Sequence, residues 1–276
     1  MHGDEGAATF AEATAIEGRG EGRFRGTILP GWGTGPSPHG GYVAAIVLRA
    51  LVAAVDDASR PPRSLTVHFA DAAEEGPCEL EVTVERAGRS LSTLSARLVQ
   101  DGRLRVTALA AFAAAGPFPV TFDESEPPEP AAFDPAQTMP WVEGLPEFVK
   151  HIELQPTSGG FVATGGPASV GGWLRTRPAE PLDACALTFL ADALWPPAYA
   201  HLEAPSIVPT IDLTMHFRRA LPHGDVDLVN TLFRTRVLEG GFFDEDGTLW
   251  APDGTLLAHS RQLARIIDAE YDRPQT

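Results

Sequence analysis

Over most of the chain, apolar and polar residues alternate in short runs, and two longer blocks break that rhythm. In Leu65-Thr66-Val67-His68-Phe69 the apolar residues fall at every second position, the period of a strand with one buried face. The runs CELEVTVERAG (78–88), SLSTLSARLVQ (90–100) and RLRVTALAAFA (103–113) follow. EEGP (74–77), Gly88 and QDGR (100–103) punctuate them as turns, and connections this short favour antiparallel pairing. GRFRGTIL (22–29) predicts a strand ahead of them. The first apolar block, GGYVAAIVLRALVAAV (40–55), is apolar almost all round, which predicts a helix buried on most sides.

The same order then recurs. GGWLRTR (171–177) predicts a leading strand, and PLDACALTFLADALW (181–195) a helix stopped by Pro196 and Pro197. SIVPTIDLTMHFRR (206–219), DVDLVNTLFRTRVLEGG (225–241), FFDEDGTLWAP (242–252) and GTLLAHSRQLARII (254–267) predict the strands. DLTMHF (212–217) nearly repeats SLTVHF (64–69), and PDGT (252–255) matches QDGR as a hairpin turn. The chain reads as an internal duplication of one α+β unit, a buried helix wrapped by an antiparallel sheet.

Between the copies, GPFPVTFDESEPPEPAAFDPAQTMP (116–140) concentrates proline and acid, which predicts an extended linker. The expected division is an N-terminal unit at 1–115, a linker at 116–145 and a C-terminal unit at 146–276.

At 43% hydrophobic, the 276 residues can bury a sizeable core. No run is long and apolar enough to predict a membrane span, and the N-terminus has neither the basic nor the apolar segment of a secretory signal. Two cysteines, Cys78 and Cys185, fit a reducing compartment and have no neighbour at metal-ligand spacing, so no metal site is expected of them. Together these features place the expected location in the cytoplasm. A net charge of −16 argues against nucleic-acid binding and against anionic membrane surfaces.

Asp192 is an acid inside an otherwise apolar run, ALTFLADALW (186–195). Left unpaired on a buried helix it would cost several kcal/mol, so it requires polar partners or a route to solvent at the helix end. In SPHGGY (37–42) two glycines open a helix and leave backbone N–H groups near the positive end of its dipole, an arrangement suited to an oxyanion. His39, Gly40, Gly41 and Tyr42 are therefore candidate substrate-binding and oxyanion residues; the glycines also suit close helix–sheet packing.

These elements resemble the double hot-dog fold, and the motifs resemble the acyl-CoA thioesterase II family. In the first half the likeness rests on PHGGYVAAIVLRAL (38–51) and GRSLSTLSARLVQDGR (88–103). In the second it rests on FLADALW (189–195), PTIDLTMHFRR (209–219) and DGTLLAHSRQLAR (253–265). That family uses an Asp, a Thr or Ser and a Gln to hold a hydrolytic water. By position these fall on Asp192, Thr210 and Gln262, with Thr214 as the fallback hydroxyl. The resemblance implies an acyl-CoA thioesterase working without a cofactor. The alternatives are a non-catalytic acyl or hydrophobic-ligand binder, or a hydratase or dehydratase on the same scaffold.

Strict alternation puts Thr210 on one strand face with Asp212, Thr214 and His216, while Ile211, Leu213, Met215 and Phe217 face the helix. Arg218, Arg219, Arg261 and Arg265 are candidates for the phosphates of coenzyme A, or of an acyl-carrier substrate. Two-fold assemblies are the commonest, so a homodimer or a higher homo-oligomer is expected.

Overall fold

The computed structural model describes residues 8–128, 132–162, 164–221 and 225–267. After a single-turn helix α1 (Phe10–Ala13), the N-terminal half builds β1 (Ile16–Gly20), β2 (Arg23–Ile28), α2 (Gly40–Val55), β3 (Pro62–Phe69), β4 (Gly76–Ala87), β5 (Ser92–Gln100) and β6 (Arg103–Phe112). The C-terminal half builds β7 (Ile152–Ser158), β8 (Ser169–Thr176), α3 (Ala184–Leu190), β9 (Thr210–Phe217), β10 (Val229–Arg234), β11 (Leu238–Glu239), β12 (Phe242–Trp250) and β13 (Leu256–Arg265).

The strands form one antiparallel sheet in the order β1-β2-β4-β5-β6-β3-β9-β13-β12-β10-β8-β7, with β11 added on β12. The order is a palindrome about the β3–β9 junction. The echoed segments therefore meet at the seam: Leu65 pairs with Met215, Thr66 with Thr214 and Val67 with Leu213. Thr66 faces its own counterpart, and their hydroxyl oxygens lie 3.1 Å apart. A segment that pairs with its own copy around a local two-fold must suit both sides of the pairing, which is a physical reason for the repeat.

Helices α2 and α3 lie on the inner face of the sheet, and α2 packs against α3 as well as β4 and β5. The apolar block of α2 is buried from Gly41 to Leu48 and again at Ala50 and Leu51, as its composition demands. Asp101 and Gly102 both take positive φ, so QDGR forms the two-residue primed turn that β5 and β6 require.

Three features depart from the alternation pattern. α3 spans seven residues instead of the predicted 181–195, and the chain turns out of the helix at Ala191. Asp192 thus stands just beyond its C-terminal end. β1 and β7 are edge strands the pattern did not reveal, β1 because only Ile16 of IEGRG is even half-buried and β7 because Pro156 interrupts it. The proline-rich stretch is exposed at Phe118 and Phe122, and Arg219 ties it to the end of β9 through Asp123. Further on, Met139, Trp141 and Leu145 pack on the core, and Phe148 and Val149 enter it. Glu129 and Pro130 of that stretch lie outside the described residues.

Candidate active site

The site forms where the C-terminal end of α3 meets the N-terminal end of α2. Close approach of the two backbones is possible because residue 41 is glycine. A Cβ there would lie 2.8 Å from Asp192 Cβ and 2.9 Å from the Phe189 carbonyl oxygen, closer than real side chains come. Across this contact the Gly41 N–H donates to Asp192 Oδ2 at 2.7 Å. The carboxyl group thus caps a sixteen-residue helix from another element, where both the free N–H and the helix dipole favour negative charge.

His39 is the N-cap of α2 and is buried. Its Nδ1 accepts from the Tyr42 N–H at 3.2 Å, which leaves the ring proton on Nε2. Nε2 then donates to the Asp192 carbonyl oxygen at 2.8 Å and lies 3.4 Å from Oδ2. Phe148 and Phe189 pack on the ring with centroids 4.1 and 5.3 Å away. Tyr42 itself turns inward. Its hydroxyl donates to the Ala13 carbonyl oxygen and accepts from the Leu29 N–H, while burial pushes its pKa up to about 12.

From the sheet, Gln262 on β13 supplies the other side of the site. Its Nε2 donates to Asp192 Oδ1 at 3.0 Å and to Glu245 Oε1 on β12 at 3.3 Å, and its Oε1 accepts from the Thr210 hydroxyl at 3.0 Å. An amide beside two carboxyl groups and a hydroxyl has one sensible orientation, with the NH2 toward the carboxyl groups.

Thr210 reaches Gln262 because β9 is irregular. Leu263 pairs with Asp212 but Ala264 pairs with Thr210, so Ile211 is an extra residue in the ladder. That bulge turns Thr210 onto the inner face, against the strict-alternation expectation. Thr214, the fallback hydroxyl, stays at the seam with Thr66.

The structure therefore gathers Asp192, Thr210, Gln262, His39, Gly40 and Gly41, with Gly40 3.1 Å from Asp192 Oδ2 as measured from an added Cβ. It does not gather the four arginines. Arg218 donates to His259 and Arg219 pairs with Asp123 beyond one end of β9. Arg261 lies near Asp244 and Asp246 on the sheet face opposite Gln262, and Arg265 stacks over Phe242 at the far end of β13. Among the described residues no cluster of three or more His, Cys, Asp or Glu is placed to hold a metal ion.

Glu245 escaped the sequence reading. The period-two signal for it was present: Phe243, Glu245, Gly247 and Leu249 share one strand face, and all four are buried. Desolvation, then the charges of Asp192 and Asp244, push its carboxyl well above the ordinary 4.5.

Two inner helices under one curled sheet, with a polar site at their junction, define the hot-dog architecture. The chain belongs to the acyl-CoA thioesterase family: the family's N-terminal domain matches residues 28–113 and its C-terminal domain residues 123–266. A hot-dog protein of unknown function from Alicyclobacillus acidocaldarius superposes with a TM-score of 0.83 at 27% identity, covering 95% of this chain and 99% of its own. A putative thioesterase II from Thermobifida fusca superposes with a TM-score of 0.80 at 28% identity, covering 94% and 97%. The thioesterase-like protein TwmA of Talaromyces wortmannii is 24% identical over 96% of this chain and 93% of its own length.

Proposed function

We propose that this protein hydrolyses acyl-CoA thioesters with a water activated by Asp192. The observation that carries the reading is the shared grip on Asp192, Gly41 N–H on one oxygen and the Gln262 amide on the other.

The hydrogen-bond directions dictate how a water would be held. Thr210 spends its proton on Gln262 Oε1, so its oxygen is left as an acceptor. Asp192 is an acceptor as well. A water between them gives one proton to each and turns a lone pair toward the acyl carbon. As the new C–O bond forms, Asp192 takes the proton it already holds by hydrogen bond. The tetrahedral intermediate then expels the coenzyme A sulfur, which leaves as the thiol on receiving that proton.

The negative charge on the acyl oxygen needs a donor. In the first turn of α2, Gly41 N–H is committed to Asp192 and Tyr42 N–H to His39. Gly40 N–H has no intrahelical acceptor and lies at the positive helix end. We assign it the oxyanion, a role typically worth about 3–4 kcal/mol of the barrier. His39 positions Asp192 through its carbonyl and does not act on the substrate.

A non-catalytic acyl binder would use the same scaffold but has little use for a gripped carboxylate. The experiment is release of free thiol from a panel of acyl-CoAs of increasing chain length. Turnover on part of the panel is expected; binding of acyl-CoA with no thiol released on any member would support the binder instead.

A further inference from the structure

We propose that Glu245 is a positioning residue for Gln262, its carboxyl clamping the amide so that Gln262 meets Asp192 and Thr210 in one fixed plane. The inference rests on the hydrolytic reading above and concerns a residue outside the Asp, Thr and Gln set.

An amide NH2 has two hydrogens in one plane. In Gln262 one goes to Asp192 Oδ1 and the other to Glu245 Oε1, while Oε1 of the amide takes the Thr210 hydroxyl. Without Glu245, one of the two N–H hydrogens loses its acceptor, and a single bond on each edge, to Asp192 and from Thr210, is left to oppose rotation about the last side-chain bond. Glu245 is cross-strand to Gln262, in direct register, so the clamp comes from the sheet itself.

The local two-fold supplies an independent control. Leu65 pairs with Ala110 in the N-terminal half as its echo Leu213 pairs with Gln262, and Ala110 pairs with Leu94 as Gln262 pairs with Glu245. Leu94 and Ala110 are both 1% exposed. The fold thus accepts an apolar pair at these two positions, so a buried acid facing an amide is not a requirement of packing.

Glu245 meets acids rather than cations. Asp192 faces it from the end of α3, and Asp244 precedes it on its own strand; β13 presents neutral Gln262. Arg236 and Arg261 pair with Asp246, and Arg261 lies near Asp244 as well. Burial and these two acids favour the protonated, neutral form of the clamp, and its ionisation would place a second negative charge beside Asp192 and weaken the site.

The test compares wild type, Glu245→Gln and Glu245→Leu for thiol release from pH 6 to 10, with Gln262→Ala as reference. Gln mimics the neutral acid, and Leu copies the residue the fold already uses at the matching position. Expected are a Gln variant within about threefold of wild-type kcat at neutral pH with its alkaline decline shifted upward or gone, and a folded Leu variant with kcat lowered at least tenfold at little-changed KM, approaching Gln262→Ala. A Leu variant with wild-type kcat overturns the proposal, as does a Gln variant that keeps the wild-type alkaline limb. If wild type releases no thiol from any acyl-CoA, the hydrolytic reading itself fails, and that outcome is distinct from either.

Discussion

Burial beside Asp192 pushes the Glu245 carboxyl well above its ordinary 4.5, and this sets the pH dependence of stability as well as of the site. Above that ordinary value the unfolded chain ionises Glu245 while the folded protein keeps its proton. The folded state then binds more protons, so this residue lowers stability as pH rises, until the folded group itself ionises. Glu245→Gln removes the effect. Thermal melts between pH 5 and 8 should show the Gln variant gaining on wild type with rising pH; wild type gaining on the variant would contradict the assignment. Asp192 was readable as a residue needing partners because a lone acid interrupts an apolar run, although which partners it finds depends on tertiary contacts. Glu245 was hidden between Asp244 and Asp246. The strand itself was legible, but three consecutive acids look solvated until its period sends the middle one inward.

At the scale of elements, site geometry rests on two local irregularities. One is the glycine contact between α2 and α3. Gly41→Ala would force its Cβ into Asp192 and the Phe189 carbonyl, and overpacking of this kind typically costs about 1–3 kcal/mol. A lowered melting temperature together with lost thiol release is expected, whereas wild-type values of both would show the approach is looser than it stands here. The other irregularity is the bulge at Ile211, which brings Thr210 to Gln262. Alternation predicted the right strand and the wrong face for Thr210, because a one-residue bulge leaves no mark in the hydrophobic pattern. Helix α2 was legible from end to end, since sixteen nearly continuous apolar residues permit little else. α3 was not, because ADALW continues the apolar pattern after the backbone has turned to deliver Asp192.

At the scale of the molecule, the echoed strands pair at the centre of one sheet and generate two pseudo-equivalent helix junctions, of which one gathers Asp192, Thr210 and Gln262. At the other, Arg49 from α2 closes on Asp183 at the start of α3, and the sheet positions matching Gln262 and Glu245 hold Ala110 and Leu94. The repeat was readable from sequence; the asymmetry between its two junctions required the pairing register. Charge acts over the whole molecule as well. At −16, and with the four candidate arginines dispersed, the protein repels an anionic thioester at long range. Raising the ionic strength from about 0.01 to 0.15 M shortens the screening length from roughly 30 to 8 Å. Over that interval kcat/KM for an acyl-CoA should rise, and a steady fall would instead reveal a basic docking surface. The central claim is that Asp192 takes the proton of the attacking water. Thiol release by Asp192→Asn, measured on protein shown to bind acyl-CoA as wild type does, tests it most directly. The account predicts a loss of about 100-fold or more in kcat; turnover within a few-fold of wild type would contradict it.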